Sequence, residues 1–130
     1  MDYKDLTPNL MVSDVAKTVE YYKEVLGFEA IASVPNGDKI VFAIVRANNI
    51  MLMFQEEMSL KEEYPQLKDC GGYAGLTLYI HVDNIMQLHE KLRDKVRIVK
   101  DLHTTFYGSQ DFAIEDCNNY VLTFSQTKIE

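Results

Sequence analysis

Residues 107–126 read YGSQDFAIEDCNNYVLTFSQ, and this stretch decides the fold. Two apolar runs, residues 111–115 and 120–125, flank the polar knuckle Asp116-Cys117-Asn118-Asn119. Asn is one of the few residues besides Gly that tolerate positive φ in a tight turn. The stretch therefore predicts a closing β-hairpin.

The pattern leading into this hairpin occurs twice. Residues 6–13 alternate around Leu10 and Val12 as a strand. Asp14 is placed to cap a helix over residues 15–26, where Val15, Val19, Tyr22 and Leu26 recur at helical spacing. Gly27 suits the left-handed position that ends such a helix. Strands follow at residues 28–34, 39–46 and 50–55. The first two are joined by Pro35-Asn36-Gly37-Asp38, whose Asn-Gly predicts a type I′ turn, and the last two by Ala47-Asn48-Asn49. Residues 76–82 restart the series as a strand, Asp83 stands as the next helix cap, and Ile85, Leu88 and Leu92 form its buried stripe. Strands at residues 96–103, 111–115 and 120–125 complete it. Between the two series, Ser59-Leu60-Lys61-Glu62 has the form of a capping box, predicting a short helix to about Leu67 that residues 68–72 stop. The fold class is α+β: two βαβββ modules, at about 6–55 and 76–126, joined by 56–75 within a single domain of residues 1–130. Their strands form a concave mixed sheet with the helices on its outer face.

The composition fits one globular domain, with 47% hydrophobic and 25% charged residues in 130. A net charge of −7 argues against a nucleic-acid partner and is compatible with a cationic ligand. No apolar run reaches the roughly 20 residues that a membrane-spanning helix needs. The opening MDYKDLTPNL lacks a secretory pattern, so Cys70 and Cys117 read as free thiols of a cytoplasmic protein.

Two segments carry a family resemblance: residues 9–28, NLMVSDVAKTVEYYKEVLGF, and the closing hairpin. At this separation they resemble the glyoxalase/bleomycin-resistance/dioxygenase (vicinal oxygen chelate) superfamily, in its bleomycin-resistance-like branch. The hairpin departs from the family's usual Asp-Pro-Asp-Gly turn. The resemblance implies a trough, and in the metal-dependent members four His, Glu or Gln side chains that hold a metal there. Carried over one at a time, those four positions fall on Thr7, Met51, Thr77 and Thr123. Threonine hydroxyls and a thioether are poor donors to a divalent cation, so neither a metal nor another cofactor is expected. His81, His89 and His103 show no ligand spacing among themselves, and neither cysteine has a local base. No catalytic residue is assigned.

The trough face itself carries Thr, Met, Tyr, Asn and Ser, a composition suited to an adaptable small-molecule site. The expected ligand-binding residues are Asn9, Met11, Met51, Met53, Thr77, Tyr79 and Thr123, with Phe106 and Tyr107 from a loop at residues 103–108. The resemblance implies a homodimeric, metal-free protein that sequesters an aromatic compound, with a cationic one favoured by the acidic chain. The alternatives are a metal-dependent lyase, isomerase or dioxygenase whose metal site lies elsewhere, and a structural or regulatory domain whose trough takes no ligand.

Overall fold

The computed structural model describes residues 1–71 and 75–127 and contains two compact units, residues 1–72 and 73–130. In the first, β1 (Asn9–Val12), α1 (Val15–Glu24), β2 (Glu29–Asn36), β3 (Lys39–Ala47) and β4 (Ile50–Glu56) are followed by α2 (Glu57–Glu63) and a 3-10 turn, Pro65–Leu67. In the second, β5 (Thr77–His81), α3 (Ile85–Leu92), β6 (Arg97–Thr104), β7 (Ser109–Glu115) and β8 (Val121–Thr127) repeat the plan. Each unit holds one mixed four-stranded sheet, ordered β1-β4-β3-β2 and β5-β8-β7-β6. In both, the first strand pairs parallel with the last and the other pairings are antiparallel. The α+β class and the repeated βαβββ module stand as read from sequence.

Alternation puts one face of each sheet under its helix. Leu10, Ala43, Val45, Leu52 and Phe54 are buried beside Val15, Thr18 and Tyr22 of α1. The Tyr22 ring lies 4.9 Å from Phe54 and 5.4 Å from Phe28, so one aromatic cluster ties α1 to the sheet. Thr18, rather than Val19, completes the buried stripe, and its hydroxyl donates to the Asp14 carbonyl. In the second unit Phe112, Ile114, Leu122 and Phe124 are buried with Ile85 and Leu92 of α3.

Several local expectations are corrected by hydrogen-bond chemistry. Strand β1 begins at Asn9, not residue 6, because Pro8 has no N–H and joins the ladder only by accepting from Met53. Asn36 pairs with Lys39, leaving Gly37-Asp38 as the turn. Only Gly37 there has positive φ (67°), the pattern of a type II′ turn rather than I′. Helix α2 starts before the supposed capping box: the Glu56 carboxylate caps it by accepting from the Ser59 N–H at 3.2 Å. The Lys39 ammonium at 2.8 Å, with the Ser59 N–H, holds that carboxyl below its ordinary range despite partial burial. Asn84, not Asp83, caps α3, accepting from the Gln87 N–H at 3.2 Å. Residues 72–74 of the connecting segment, Gly72 of the expected helix stop among them, lie outside the described residues.

The closing hairpin turns on Asp116. Its Oδ1 accepts from the N–H groups of Asn118 (2.8 Å) and Tyr120 (2.9 Å), and Asn119 takes positive φ, 69°. A short carboxylate that bonds the backbone two residues on does the work of the family's Pro-Asp-Gly.

Candidate functional site

Strands β6 and β7 are joined by the loop Thr105-Phe106-Tyr107-Gly108, shorter than expected because His103 and Thr104 stay paired in β6. Gly108, at φ 94°, lets the chain reverse. The Thr105 N–H donates to the Ser109 carbonyl at 2.8 Å, and the Ser109 N–H returns a bond to Thr105 Oγ1 at 3.0 Å. This closure leaves the Phe106 side chain 99% exposed and Tyr107 59% exposed, their rings edge to face at 5.0 Å.

The loop borders a cavity of about 460 Å³ on the open face of the second sheet. Tyr79 of β5, Thr123 of β8, Asp111 of β7, and Lys100 and His103 of β6 line it with Phe106 and Tyr107. Register explains the convergence: Tyr79 is opposite Thr123, and Asp111 is opposite both Ser125 and His103. Side chains at such positions point to one face and lie within reach of one another.

The cavity is built around a carboxylate. Asp111 is only 3% exposed, and its Oδ1 accepts from the Ser109 hydroxyl at 2.8 Å. Its Oδ2 receives longer contacts from the phenols of Tyr79, 3.3 Å, and Tyr107, 3.4 Å. The same Tyr79 hydroxyl lies closer, 2.8 Å, to the buried Ser125 hydroxyl, so the two partners share its one proton as alternatives. Burial alone would raise the pKa of Asp111, but the hydroxyls of Ser125, Ser109 and Tyr79, helped by His103, hold it below the ordinary value. The group is therefore an anion at neutral pH, and no Lys or Arg forms an ion pair with it among the described residues. Tyr107 is pushed the other way, its phenol raised by the Tyr79 hydroxyl, by burial and by nearby negative charge.

Of the residues expected to bind a ligand, Tyr79, Phe106, Tyr107 and Thr123 line this cavity. Thr77 is exposed on β5 and does not line it. Asn9, Met11, Met51 and Met53 belong to the first unit, on the face of its sheet away from α1. There the Asn9 amide donates to Gln55 Oε1 at 2.9 Å, Gln55 donates in turn to Ser59 and Glu63, and Met11 is buried. Asp111 was not among the residues expected to bind a ligand, because strand alternation carries no signal for it. Its burial among hydroxyl donors depends on pairings across three strands.

The residues at the family's metal-ligand positions do not fit a divalent cation. Thr7, Met51, Thr77 and Thr123 offer neutral hydroxyls and a thioether, with no imidazole or carboxylate among them. With Asn84 as the true cap, Thr7 and Thr77 each stand seven residues before their helix cap, so the two modules agree. Among the described residues, no three His, Cys, Asp or Glu side chains cluster as a metal site elsewhere.

The profile of the Glyoxalase/Bleomycin resistance protein/Dioxygenase superfamily matches residues 6–124. The chain belongs to that superfamily. No curated protein matches it. Among solved structures of the same fold, TioX from Micromonospora sp. ML1 is 16% identical, with 97% of this chain and 100% of that one covered at a TM-score of 0.78. TnmS3, an antibiotic binding protein from Streptomyces sp. CB03234, is 17% identical over 98% and 99% of the two chains at 0.76. The bleomycin-binding protein of Streptomyces verticillus, solved with copper(II)-bleomycin, is 22% identical over 100% and 99% at 0.66. At these identities the likeness is one of fold.

Proposed function

We propose that this member of the superfamily is a metal-free binding protein that sequesters an aromatic compound, preferentially a cationic one. The observation that carries the reading is the grouping of three exposed rings, Tyr79, Phe106 and Tyr107, around one cavity with an anionic floor. Aromatic side chains left in water are poorly used, whereas a flat ligand that stacks on them buries both surfaces. A cation over such rings gains about 0.5–2 kcal/mol per contact. The volume suits a drug-sized molecule. Support from fold comes from TnmS3, an antibiotic binding protein, and from the bleomycin-binding protein of Streptomyces verticillus. The bleomycin-resistance-like branch, a cytoplasmic location and a part in antibiotic resistance belong to the same proposal.

Thermal-shift measurements with cationic aromatic dyes and antibiotics, beside anionic analogues of similar size, test it. Cationic compounds should raise the melting temperature, and Tyr79→Ala and Phe106→Ala should remove the shift. Stabilisation by the anionic set alone, or shifts that survive both substitutions, would overturn it. The proposal extends to a homodimer, as family members pair modules across a two-fold axis. Light scattering at micromolar concentration should give twice the 15.0 kDa chain mass. A monodisperse 15.0 kDa species would count against it.

A further inference from the structure

We infer that the cavity selects its ligand by N–H donation: it takes protonated amines or amidines and discriminates against quaternary ammonium ions of equal charge. The inference rests on the small-molecule reading and concerns the polar floor of the same cavity.

Proton accounting around Asp111 leads to it. An ionised carboxylate only accepts hydrogen bonds, so each hydroxyl in its reach turns its hydrogen inward. Ser109 does so at 2.8 Å. The single proton of Tyr79 goes to Ser125 at 2.8 Å or to Asp111 at 3.3 Å, and both partners are buried. The Tyr107 phenol is likewise directed at Asp111, 3.4 Å away, or at Tyr79. With both phenol protons committed, the two phenol oxygens keep lone pairs for the cavity. The Thr105 hydroxyl, close to Tyr107, takes at most one of that oxygen's two.

His103 is oriented by a backbone contact: its Nδ1 lies 2.8 Å from the Asp101 carbonyl oxygen, which cannot donate, so Nδ1 carries a hydrogen and Nε2 is the ring nitrogen left to the cavity. Tyr79, Tyr107 and Asp111 thus face a ligand as acceptors, with the buried negative charge of Asp111 among them. Lys100 also lines the cavity, but it is exposed and forms no ion pair with Asp111. Its ammonium is an internal competitor for the same acceptors. Ring stacking alone would not distinguish an N–H cation from a quaternary one; acceptors that need a hydrogen do.

Isothermal titration calorimetry with naphthylmethylammonium, its trimethylammonium counterpart and naphthylmethanol reads this out. The primary ammonium should bind about 10- to 100-fold tighter than the quaternary ion, the scale of one hydrogen bond to a charged group. Tyr79→Phe with Tyr107→Phe keeps both rings and should collapse that ratio towards one, with quaternary binding retained. Asp111→Asn should do the same, and the tyrosine pair stands in for it if that variant fails to fold. Lys100→Met removes the competing donor and should leave the ratio at least as large as in the unmodified protein. Equal affinity for the two cations in the unmodified protein, or a ratio unchanged in the double phenylalanine variant, overturns the inference while leaving the aromatic-binding reading in place. If none of the three probes binds, the aromatic-binding reading fails and this inference with it.

Discussion

Tyr79 reaches from β5 to the neighbouring strand β8 and sets its phenol 2.8 Å from the Ser125 hydroxyl. That serine is fully buried while the tyrosine is 48% exposed. One side chain thus joins a solvent-facing aromatic surface to the buried Asp111 network, and mutations there separate binding from stability.

Asp111→Asn should lower stability by about 1–3 kcal/mol at neutral pH, because an amide replaces one acceptor oxygen with a donor that faces other donors. The folded-state pKa of Asp111 is depressed. Its contribution is therefore fully present above the unfolded carboxylate value near 3.9 and is lost as pH falls through the folded value. Urea titrations from about pH 7 down to 3 should show the two proteins converging only below about pH 4. Parallel curves across that range would mean that Asp111 carries no such linkage.

Leu122→Ala and Phe106→Ala make a contrast within one unit. Leu122 is fully buried beneath α3's sheet face, so its truncation should cost about 2–5 kcal/mol. Phe106 touches water over nearly its whole surface, and removing it should change stability by under about 0.5 kcal/mol. Ligand-induced thermal shifts should respond in the opposite order. A large stability loss from Phe106→Ala would show that its ring packs rather than waits for a ligand.

Gly27 sits at φ 80°, and a Cβ added there meets no atom within 4 Å. The penalty of Gly27→Ala is consequently conformational alone, about 1–2 kcal/mol for a left-handed L-residue. The Phe28 N–H bond to the Tyr22 carbonyl, 2.9 Å, depends on that geometry and carries Phe28 into the aromatic cluster. Denaturant midpoints measured beside Gly71→Ala, a glycine without positive φ, isolate the effect. Equal midpoints for the two variants would refute it.

Metal content follows from donor chemistry at Thr7, Met51, Thr77 and Thr123. Protein purified without a polyhistidine tag should hold well under one equivalent of Ni, Zn, Mn, Fe or Co, and chelator should leave its melting temperature unchanged. Stoichiometric metal that survives dialysis would restore the metal-dependent enzyme as the better reading.

The sequence by itself determined the module and its repetition. Strand alternation around Leu10, Leu52, Leu122 and Phe124, the cap at Asp14 and the glycines at 27 and 37 are local signals, and local signals act through backbone geometry that neighbours in the chain control. Thr7 and Thr77 hold equivalent places in the two modules, each seven residues before its helix cap. Caps shared between adjacent candidates, Asp83 and Asn84, escaped because each has a chemically suitable side chain and only the φ/ψ of the entering chain decides between them. Tertiary structure alone decided that Asp111 would be a buried, hydroxyl-bound anion. Ser109, Ser125, Tyr79 and Tyr107 come from three strands and a loop, up to 46 residues apart, and only the parallel β5–β8 pairing beside β7 sets their oxygens around one carboxylate.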